Sequence, residues 1–347
     1  MGTIKVASWN AEWMNYWFTP DAEVAAFNEK FLQDSHLNNT AATARRASAL
    51  IRAIDPDILA LEEAPSRREE LALFVRDYLS DNGTPRYKLF IGDSGGAQKL
   101  AVLYKSGSVT SAALAPSSEI AMLLDSWLAD VDGDGLLNDY QFTRVPLVVN
   151  FKIAGSKLQV IVQHTKSNFV NNGRAMWNDP LQRQTCVVAA LKARRRNSAE
   201  CMRTRLYVEK VLMADPNARI VILGDLNDGP GMDYFEEFYL THSVTDILVG
   251  SAFKPEMTFR HAQHDLSAAR RFSSVFDDFV PTDQKNKKLL LDHILLSPSL
   301  SLTNGLRGVP GSGTVCHVEC EAQVVNQGRN REDRPSDHRP VMVSLEF

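Results

Sequence analysis

Apolar residues recur along this chain in short runs that follow two different periods. Runs of β-branched and aliphatic residues bounded by polar or turn-forming residues are typical of strands. They predict strands at 4–9, 57–61, 87–91, 100–104, 146–153, 158–163, 219–223, 289–296 and 341–345. Ala47, Leu50, Ile51 and Ile54 instead follow a helical spacing, and this helix is expected to end before Pro56. Further helices are predicted at 181–195 and 203–213.

The order of these elements indicates an α/β fold. Some neighbouring strands are separated by helices and others by hairpin-like connections, which favours two packed sheets with helices outside over one parallel sheet. No internal repeat, low-complexity tract or long Pro/Gly linker divides the sequence. A single domain over residues 1–347 is therefore expected, with an inserted loop at 125–142.

Composition excludes some classes of protein. Of the 347 residues, 44% are hydrophobic and 23% are charged, which is ordinary for a globular protein. The 38 basic and 42 acidic side chains give a net charge of -4, so a nucleic acid would have to bind a local basic patch. The apolar runs at 289–291 and 220–223 are far shorter than the roughly 18 residues of a membrane span, and no transmembrane segment is expected.

Polar residues collect directly beside the predicted strands, where a rigid sheet presents side chains to a cleft. They are Asn10, Glu62, Glu63, residues 164–168, residues 224–228, Asp292, His293 and residues 336–340. Any one of these groups is commonly a turn or a cap. Together they supply hard oxygen ligands for Mg²⁺ or Mn²⁺ and histidines that exchange protons near neutral pH. The combination predicts a metal-dependent phosphoesterase.

Six motifs in order along the chain resemble those of the endonuclease/exonuclease/phosphatase, or DNase I-like, superfamily. They are Ser-Trp-Asn at 8–10, Leu-Glu-Glu at 61–63, His164, Gly-Asp-Leu-Asn at 224–227, Leu-Asp-His at 291–293 and Ser-Asp-His-Arg-Pro at 336–340. The resemblance implies a four-layer α/β sandwich, with two packed mixed β-sheets flanked by helices. It also implies an active cleft at one edge of the sheets.

The same resemblance implies a site for a catalytic Mg²⁺ or Mn²⁺. Glu63 is its main ligand by this comparison, and Asn10 and Asp337 complete or support the site. Many family members have Gln where this chain has Glu62, and we expect Glu62 to face solvent. Some nucleases of the family carry Tyr or Glu near the position of Gln98, which has no acidic proton. The acid that protonates the leaving group is therefore unassigned.

The catalytic residues are also implied by resemblance. His338 would act as the general base on water, oriented by Asp292. His164 would stabilise the phosphoryl oxygens, and Asp225 with Asn227 would position the nucleophile and the phosphate.

The segment 164–168 is similar to the His-x-Lys-Ser segment of secreted bacterial nucleases. Lys166 and Asn168 are therefore expected to contact the substrate phosphate. The alternative for Lys166 is an ordinary surface lysine.

A second, calcium-like motif lies in the inserted loop. Asp130, Asp132, Asp134 and Asn138 offer oxygens at the spacing of a calcium loop, but Gln141 replaces the bidentate Glu expected at its twelfth position. A structural Ca²⁺ site and an Asx-rich solvated turn are both open.

The cysteines bear on the cellular compartment. Disulfides and buried free thiols are both open for Cys186, Cys201, Cys316 and Cys320, and the last two are spaced to share one face of a strand. Zinc is disfavoured because only His317 stands nearby. The even cysteine count and the calcium-like loop favour an extracellular or periplasmic location, whereas the lack of a leader before Ile4 favours the cytoplasm.

The sequence therefore predicts a divalent-metal-dependent phosphodiesterase, with nucleic acid as the favoured substrate and a monomer as the expected state. The alternative within enzymes is a phospholipase C- or sphingomyelinase-like hydrolase, or one that acts on small phosphoesters. A binding module that has lost turnover is disfavoured because the catalytic set is intact.

Overall fold

The computed structural model describes residues 2–29, 39–240, 243–301 and 305–347. The strands are β1 (Thr3–Asn10), β2 (Ile58–Ala64), β3 (Ser80–Asp81), β4 (Thr84–Pro85), β5 (Lys88–Ile91), β6 (Lys99–Tyr104), β7 (Ser111–Leu114), β8 (Trp127–Ala129), β9 (Asn138–Tyr140), β10 (Leu147–Ile153), β11 (Ser156–Val162), β12 (Ile220–Asp225), β13 (Arg260–His261), β14 (Ser274–Asp278), β15 (Gln284–Leu289), β16 (Asp292–Leu296), β17 (Arg307–Gly308), β18 (Thr314–Val315) and β19 (Val341–Glu346). The helices are α1 (Thr40–Ile54), α2 (Arg68–Tyr78), α3 (Ala121–Leu124), α4 (Gly173–Asn178), α5 (Arg183–Ala214), α6 (Tyr234–Phe238), α7 (Val244–Val249) and α8 (His317–Glu321).

The strands form two mixed sheets. The order of the first sheet is β17-β19-β1-β2-β6-β5, with β18 also paired to β19, and β1 is parallel to β2 but antiparallel to β19. The order of the second is β13-β16-β12-β11-β10-β7, with β11 parallel to β12 and the other pairs antiparallel. The pairs β3–β4, β8–β9 and β14–β15 are separate hairpins.

Alternate residues of the central strands enter different layers. Val6 of β1 and Val221 of β12 both join the apolar core between the sheets. Trp9 of β1 packs with residues of α1 and α2, and Ile222 of β12 packs with residues of α5. Because helices cover the outer faces, these strands are apolar on both sides, which explains their continuous apolar runs. The predicted four-layer α/β sandwich is confirmed.

A single helix replaces the two helices predicted at 181–195 and 203–213. α5 is continuous for 32 residues, because polar residues within the predicted break are buried and bonded to neighbouring segments. Asn197 Nδ2 donates to the carbonyl oxygen of Leu226 at 3.4 Å, for example. Despite this length, no helix in the described ranges is apolar enough to cross a membrane.

Two strand predictions also need correction. The strand predicted at 289–296 is interrupted, since β15 ends at Leu289 and β16 begins at Asp292. Cys316 and Cys320 do not share a strand, because Cys316 directly precedes α8 and Cys320 lies within it. All four cysteines are buried free thiols, which is the second of the two alternatives.

The inserted loop contains the β8–β9 hairpin, and the calcium-like motif begins in the turn of this hairpin and ends at the first residue of β9. Asp130 Oδ1 accepts from the backbone of Gly133 at 2.7 Å, and Asp130 Oδ2 accepts from Gly135 at 3.0 Å. Asp132 forms an ion pair with Arg195 at 2.9 Å. Asp134 Oδ1 accepts from the Leu136 backbone, and Asn138 donates to the Leu136 carbonyl, so these side chains have contacts of an Asx-rich turn. Calcium binding stays a prediction.

Candidate active site

Residues from distant parts of the chain meet at one edge of the two sheets. Asn10 ends β1, Glu63 lies near the end of β2, and Asp225 ends β12. Asp292 begins β16 directly opposite Asp225, which places the two side chains on the same face of the strand pair. His338 lies just before β19 and its ring reaches both of these aspartates. The structure thus brings together the main residues that the motifs singled out.

The imidazole of His338 is held on several sides. Its Nδ1 lies 2.7 Å from Oδ2 of Asp292, whose carboxylate is fully buried. The backbone N–H of His338 donates to Ser336 Oγ at 3.0 Å, and its carbonyl oxygen accepts from Trp9 Nε1 at 3.1 Å. Since a carboxylate only accepts, Nδ1 carries the proton. In the neutral ring Nε2, 3.9 Å from Asp225 Oδ2, is therefore free to accept a proton.

The site is rich in negative charge. Burial opposes a charge on His338, yet the charges of Asp292 and Asp225 outweigh it and raise the pKa of the imidazole well above its usual range. Burial raises the pKa of Asp225 to about 6, with the charge of His338 opposing and that of Asp292 adding to the increase. The cluster therefore favours an added cation or proton.

Asp225 also accepts hydrogen bonds from a side-chain amide and from a backbone amide. Its Oδ2 accepts from Asn10 Nδ2 at 2.9 Å, and its Oδ1 accepts from the backbone N–H of Asn227 at 2.9 Å. Asn227 has a left-handed backbone with φ of 52°, which turns the chain back towards the site. The preceding Gly224 has φ of 143°, and a Cβ there would collide with the carbonyl oxygen of Gln163. Backbone geometry thus fixes this turn.

Glu63 is presented by an irregularity in β2. The β2–β6 register shifts between Leu61 and Ala64, and Glu63 has φ of 55°. Its Oε2 accepts from the Trp13 backbone and from Gln98 Nε2, both at 2.7 Å, while Oε1 has a long 3.4 Å contact with Asn10 Nδ2. A bulge of this kind re-aims a side chain at the end of a strand.

The donor set around Glu63 fits a divalent cation. Desolvation raises the pKa of Glu63 to about 7, with the backbone donor of Trp13 opposing and the charges of Asp337 and Asp225 contributing to the increase. Carboxylates crowded together in this way repel one another unless positive charge is supplied. Carboxylate and amide oxygens are also the ligands that Mg²⁺ and Mn²⁺ prefer.

The prediction that Glu62 faces solvent is wrong. Glu62 is fully buried and its Oε1 accepts from Ser8 Oγ at 2.8 Å. Burial, together with the charge of Asp292, raises the pKa of Glu62 well above its usual value. The reason lies in the packing of the sheets, because Glu62 is on the same side of β2 as Ile58 and Ala60, whose side chains enter the core between the two sheets.

Asp337 is held by an ion-pair network that the sequence analysis missed. The buried Glu12 accepts from the backbone N–H of Asp337 at 2.7 Å and from Arg334 Nη2 at 2.9 Å. Arg331 Nε lies 3.2 Å from the same carboxylate. Desolvation opposes ionisation of Asp337, but the charges of His338 and Arg334 outweigh it and lower its pKa. The sequence signal that could have indicated a role for Glu12 is its position close after Asn10.

The segment 164–168 borders the site as predicted from its position. His164 Nε2 lies 3.5 Å from Asp225 Oδ2, and within the described chain its buried Nδ1 has no hydrogen-bond partner. Asn168 Nδ2 donates to the carbonyl oxygen of Asn227 at 2.8 Å, so it braces the turn after β12. Lys166 is half-buried, and its Nζ donates to the Ser167 carbonyl at 3.0 Å.

Arg144 is a cation of this site that sequence reasoning missed. Its Nη2 donates to Gln98 Oε1 at 2.5 Å, and Gln98 in turn donates to Glu63. Burial lowers the pKa of His164 well below its usual value, and the charge of Arg144 adds to the decrease. An isolated Arg before a strand gave no signal of this contact.

Glu200 of α5 connects the two segments that carry Arg144 and Lys166. The side chain is fully buried, and its Oε1 accepts from the backbone and hydroxyl of Thr143 at 2.8 and 2.6 Å. Its Oε2 accepts from the backbone N–H of Lys166 at 3.2 Å. Glu200 thereby fixes the residue before Arg144 relative to Lys166.

Similar folds occur in solved structures. An endonuclease/exonuclease/phosphatase from Bacteroides vulgatus is 15% identical with a TM-score of 0.53, and the match covers 100% of both chains. Truncated TDP2 from Caenorhabditis elegans is 14% identical with a TM-score of 0.51, covering 99% of this chain and 98% of that one. TDP2 from D. rerio, complexed with single strand DNA product, is 12% identical with a TM-score of 0.51, covering 100% of both. No curated protein sequence matches this chain.

The sandwich fold, the acidic cluster and the His–Asp pair define a hydrolase of phosphoric esters. The model of the Endonuclease/Exonuclease/phosphatase family matches residues 7–338, and the chain belongs to that family. The resemblance based on the six motifs is thereby confirmed at the level of the family, and the chain is a phosphoric ester hydrolase.

Proposed function

We propose that this hydrolase is a Mg²⁺- or Mn²⁺-dependent phosphodiesterase that cleaves nucleic acid. The observation that carries the proposal is the buried His338–Asp292 pair, with 2.7 Å between Nδ1 and Oδ2, placed beside the acidic cluster. A phosphodiester is anionic and repels hydroxide, so its hydrolysis needs a cation, a positioned water and donors for the developing charge.

Glu63 would hold the metal ion together with Asn10 and Asp337. When bound, the ion supplies a Lewis acid that neutralises phosphate charge. The loosely bonded Oε1 of Glu63 and its raised pKa support this assignment, because both indicate a carboxylate that forms no direct ion pair within the described residues and that the charge of Arg144 does not fully offset.

The protein's own residues would supply the base. The negative charge that raises the pKa of His338 would be offset by a bound cation, which favours the neutral ring. Nε2 of that ring would take a proton from the attacking water, while Asp292 keeps the proton on Nδ1 and stabilises the imidazolium that forms. Asp225 and Asn227 position the water and the phosphate, with Asn10 fixing the carboxylate of Asp225.

Donors from three side chains would meet the negative charge that develops on the phosphoryl oxygens. His164 and Lys166 lie on one segment, and Glu200 joins that segment to Thr143, the residue before Arg144. Gln98 does not serve as the acid for the leaving group, because it has no acidic proton and both ends of its amide are bonded.

Nucleic acid is the substrate that the sequence favours. The segment 164–168 is similar to that of secreted bacterial nucleases, and the structurally similar D. rerio TDP2 has been crystallised with a single strand DNA product. The proposal includes the secreted branch of the family, an extracellular or periplasmic location and a monomeric state.

The test is the nicking of supercoiled plasmid in the presence of Mg²⁺, Mn²⁺ or EDTA. Wild type and the control His264→Ala, which alters an exposed ring outside the site, should nick in either metal and stop in EDTA. His338→Ala should be inactive while remaining folded. Full activity of His338→Ala on every phosphodiester that wild type cleaves would contradict the mechanism.

The alternative substrates are separated by product. Release of phosphocholine or inorganic phosphate, with no nicking of DNA or RNA, would replace the nuclease by a phospholipase C-like or small phosphoester hydrolase.

A further inference from the structure

A group of cations, one of them the residue directly after His338, surrounds one buried aromatic ring. Phe272 is only 7% exposed, and Lys288 Nζ lies 4.6 Å from the centre of its ring. Arg339 Cζ lies 5.0 Å from the same centre, and the His317 ring packs against Phe272 at 4.4 Å. We call Phe272, Lys288, Arg339 and His317 the Phe272 cluster.

The positive charge of this cluster is poorly balanced within the described residues. Among the side chains that the structure describes, Lys288 has no carboxylate within ion-pair distance, and Arg339 has only Glu321 at 3.7 Å, which is itself 60% exposed. Two neighbouring lysines of the same hairpin differ in this respect, since Lys285 and Lys287 each form a 2.7 Å ion pair with an aspartate. Two cations held at one ring repel each other, so the cluster favours an anion.

The Phe272 cluster is attached rigidly to the catalytic pair. Arg339 directly follows His338, and its backbone N–H donates to the carbonyl oxygen of Ser273 at 2.7 Å. Ser273 directly follows Phe272, and its Oγ accepts from the backbone N–H of Asp292 at 3.1 Å. The two segments that fix the His338–Asp292 pair are therefore those that carry the ring and the guanidinium of the cluster.

We propose that the Phe272 cluster binds a phosphate of the substrate strand next to the phosphate that is cleaved. This inference rests on the proposed nuclease function and deepens it. A polynucleotide carries phosphates at regular spacing, so one held in the active site places another nearby. A small diester has no second phosphate, and the cluster therefore favours polynucleotides over small phosphoesters.

The experiment compares two substrates in the same buffer with Mg²⁺. They are a single-stranded oligonucleotide and bis(p-nitrophenyl) phosphate, which has one phosphate only. In Lys288→Ala, kcat/KM for the oligonucleotide should fall about fivefold relative to kcat/KM for the small diester, and in Lys288→Glu it should fall further. The slope of log kcat/KM against log salt for the oligonucleotide should decrease by about 1 in Lys288→Ala.

Lys285→Ala and Lys285→Glu are the matched controls, because Lys285 lies on the same hairpin but is paired with Asp277. Both should keep the wild-type ratio and salt slope. If wild type cleaves the oligonucleotide and the Lys288 variants match the Lys285 variants, the cluster does not bind substrate. If wild type cleaves only the small diester, the proposed nuclease function itself fails.

Discussion

Replacement of Asp292 by Asn tests the assignment of the base most directly. Asp292 is fully buried, and its Oδ2 accepts from the Nδ1 of His338 at 2.7 Å. The Asn side chain has almost the same shape but no charge, and its amide N–H₂ can donate to Nδ1. The imidazole proton would then move to Nε2, which is the atom that has to accept a proton from water.

The size of the effect follows from the burial of the pair. Removing one partner of a buried, hydrogen-bonded charge pair costs about 3–5 kcal/mol. At about 1.36 kcal/mol for each factor of ten, kcat should fall by about 10²- to 10⁴-fold if this energy is lost in the transition state. KM should change little, because Asp292 contacts the imidazole and not the substrate.

The assay is the steady-state cleavage of an oligonucleotide with saturating Mg²⁺. Asp277→Asn, which alters an exposed aspartate of the β14–β15 hairpin, is the control and should behave like wild type. Thermal melts would show that both variants are folded. A folded Asp292→Asn protein with kcat within a few-fold of wild type would refute the role assigned to the His338–Asp292 pair.

Three further predictions concern metal, pH and calcium. Glu63→Gln should raise the Mn²⁺ concentration for half-maximal activity at least about tenfold, whereas the exposed Glu69→Gln should not. Burial raises the pKa of Asp228 from 3.8 to about 6, so its contribution to stability is present below pH 3.8 and is lost as the pH rises through 6. As the pH rises, denaturant unfolding should therefore show the free energy of unfolding of wild type fall by up to about 3 kcal/mol relative to that of Asp228→Asn, which cannot ionise. Millimolar Ca²⁺ should raise the melting temperature of wild type but not of Asp132→Ala.

Each of these has a clear contrary result. Equal metal requirements of Glu63→Gln and wild type would remove Glu63 from the metal site. Parallel stability–pH curves for wild type and Asp228→Asn would show that Asp228 is not desolvated in the folded protein. Coincident melts with and without Ca²⁺, in wild type and Asp132→Ala alike, would leave the β8–β9 turn without calcium.

The sequence predicted the long central strands of both sheets and the site residues that lie at their ends, because both depend on local patterns, but it did not predict most of the short edge strands or the separate hairpins. Asn10, Asp225 and Asp292 each adjoin an apolar run that forms a central strand of one sheet. Local patterns failed where distant contacts decide the outcome. The residues near Asn197 look unfavourable for a helix, yet α5 continues through them because Asn197 and Glu200 bond to other segments.

The site residues that the sequence did not predict also depend on contacts between distant segments. Glu12 and Arg144 carry no motif, and they reach the site only because the fold brings their segments next to Asp337 and Gln98. Glu62 was misplaced because the sequence does not show that a second sheet covers the side of β2 that carries Ile58 and Ala60. Glu62 lies on that side and is therefore buried.

The left-handed backbones around the site limit how this enzyme can be engineered. Glu12, Trp13, Glu63 and Asn227 have φ between 48° and 56°, where a residue with a side chain costs of order 1–3 kcal/mol. At Glu12 a glycine would also leave the buried Arg331 without its carboxylate, which costs more than the backbone strain that it relieves. At Glu63 no such ion pair within the described chain opposes the change, so a library selected for heat resistance alone would enrich glycine there. Such a selection would discard the proposed metal ligand, and heat-resistant clones would need to be screened for turnover in the same round.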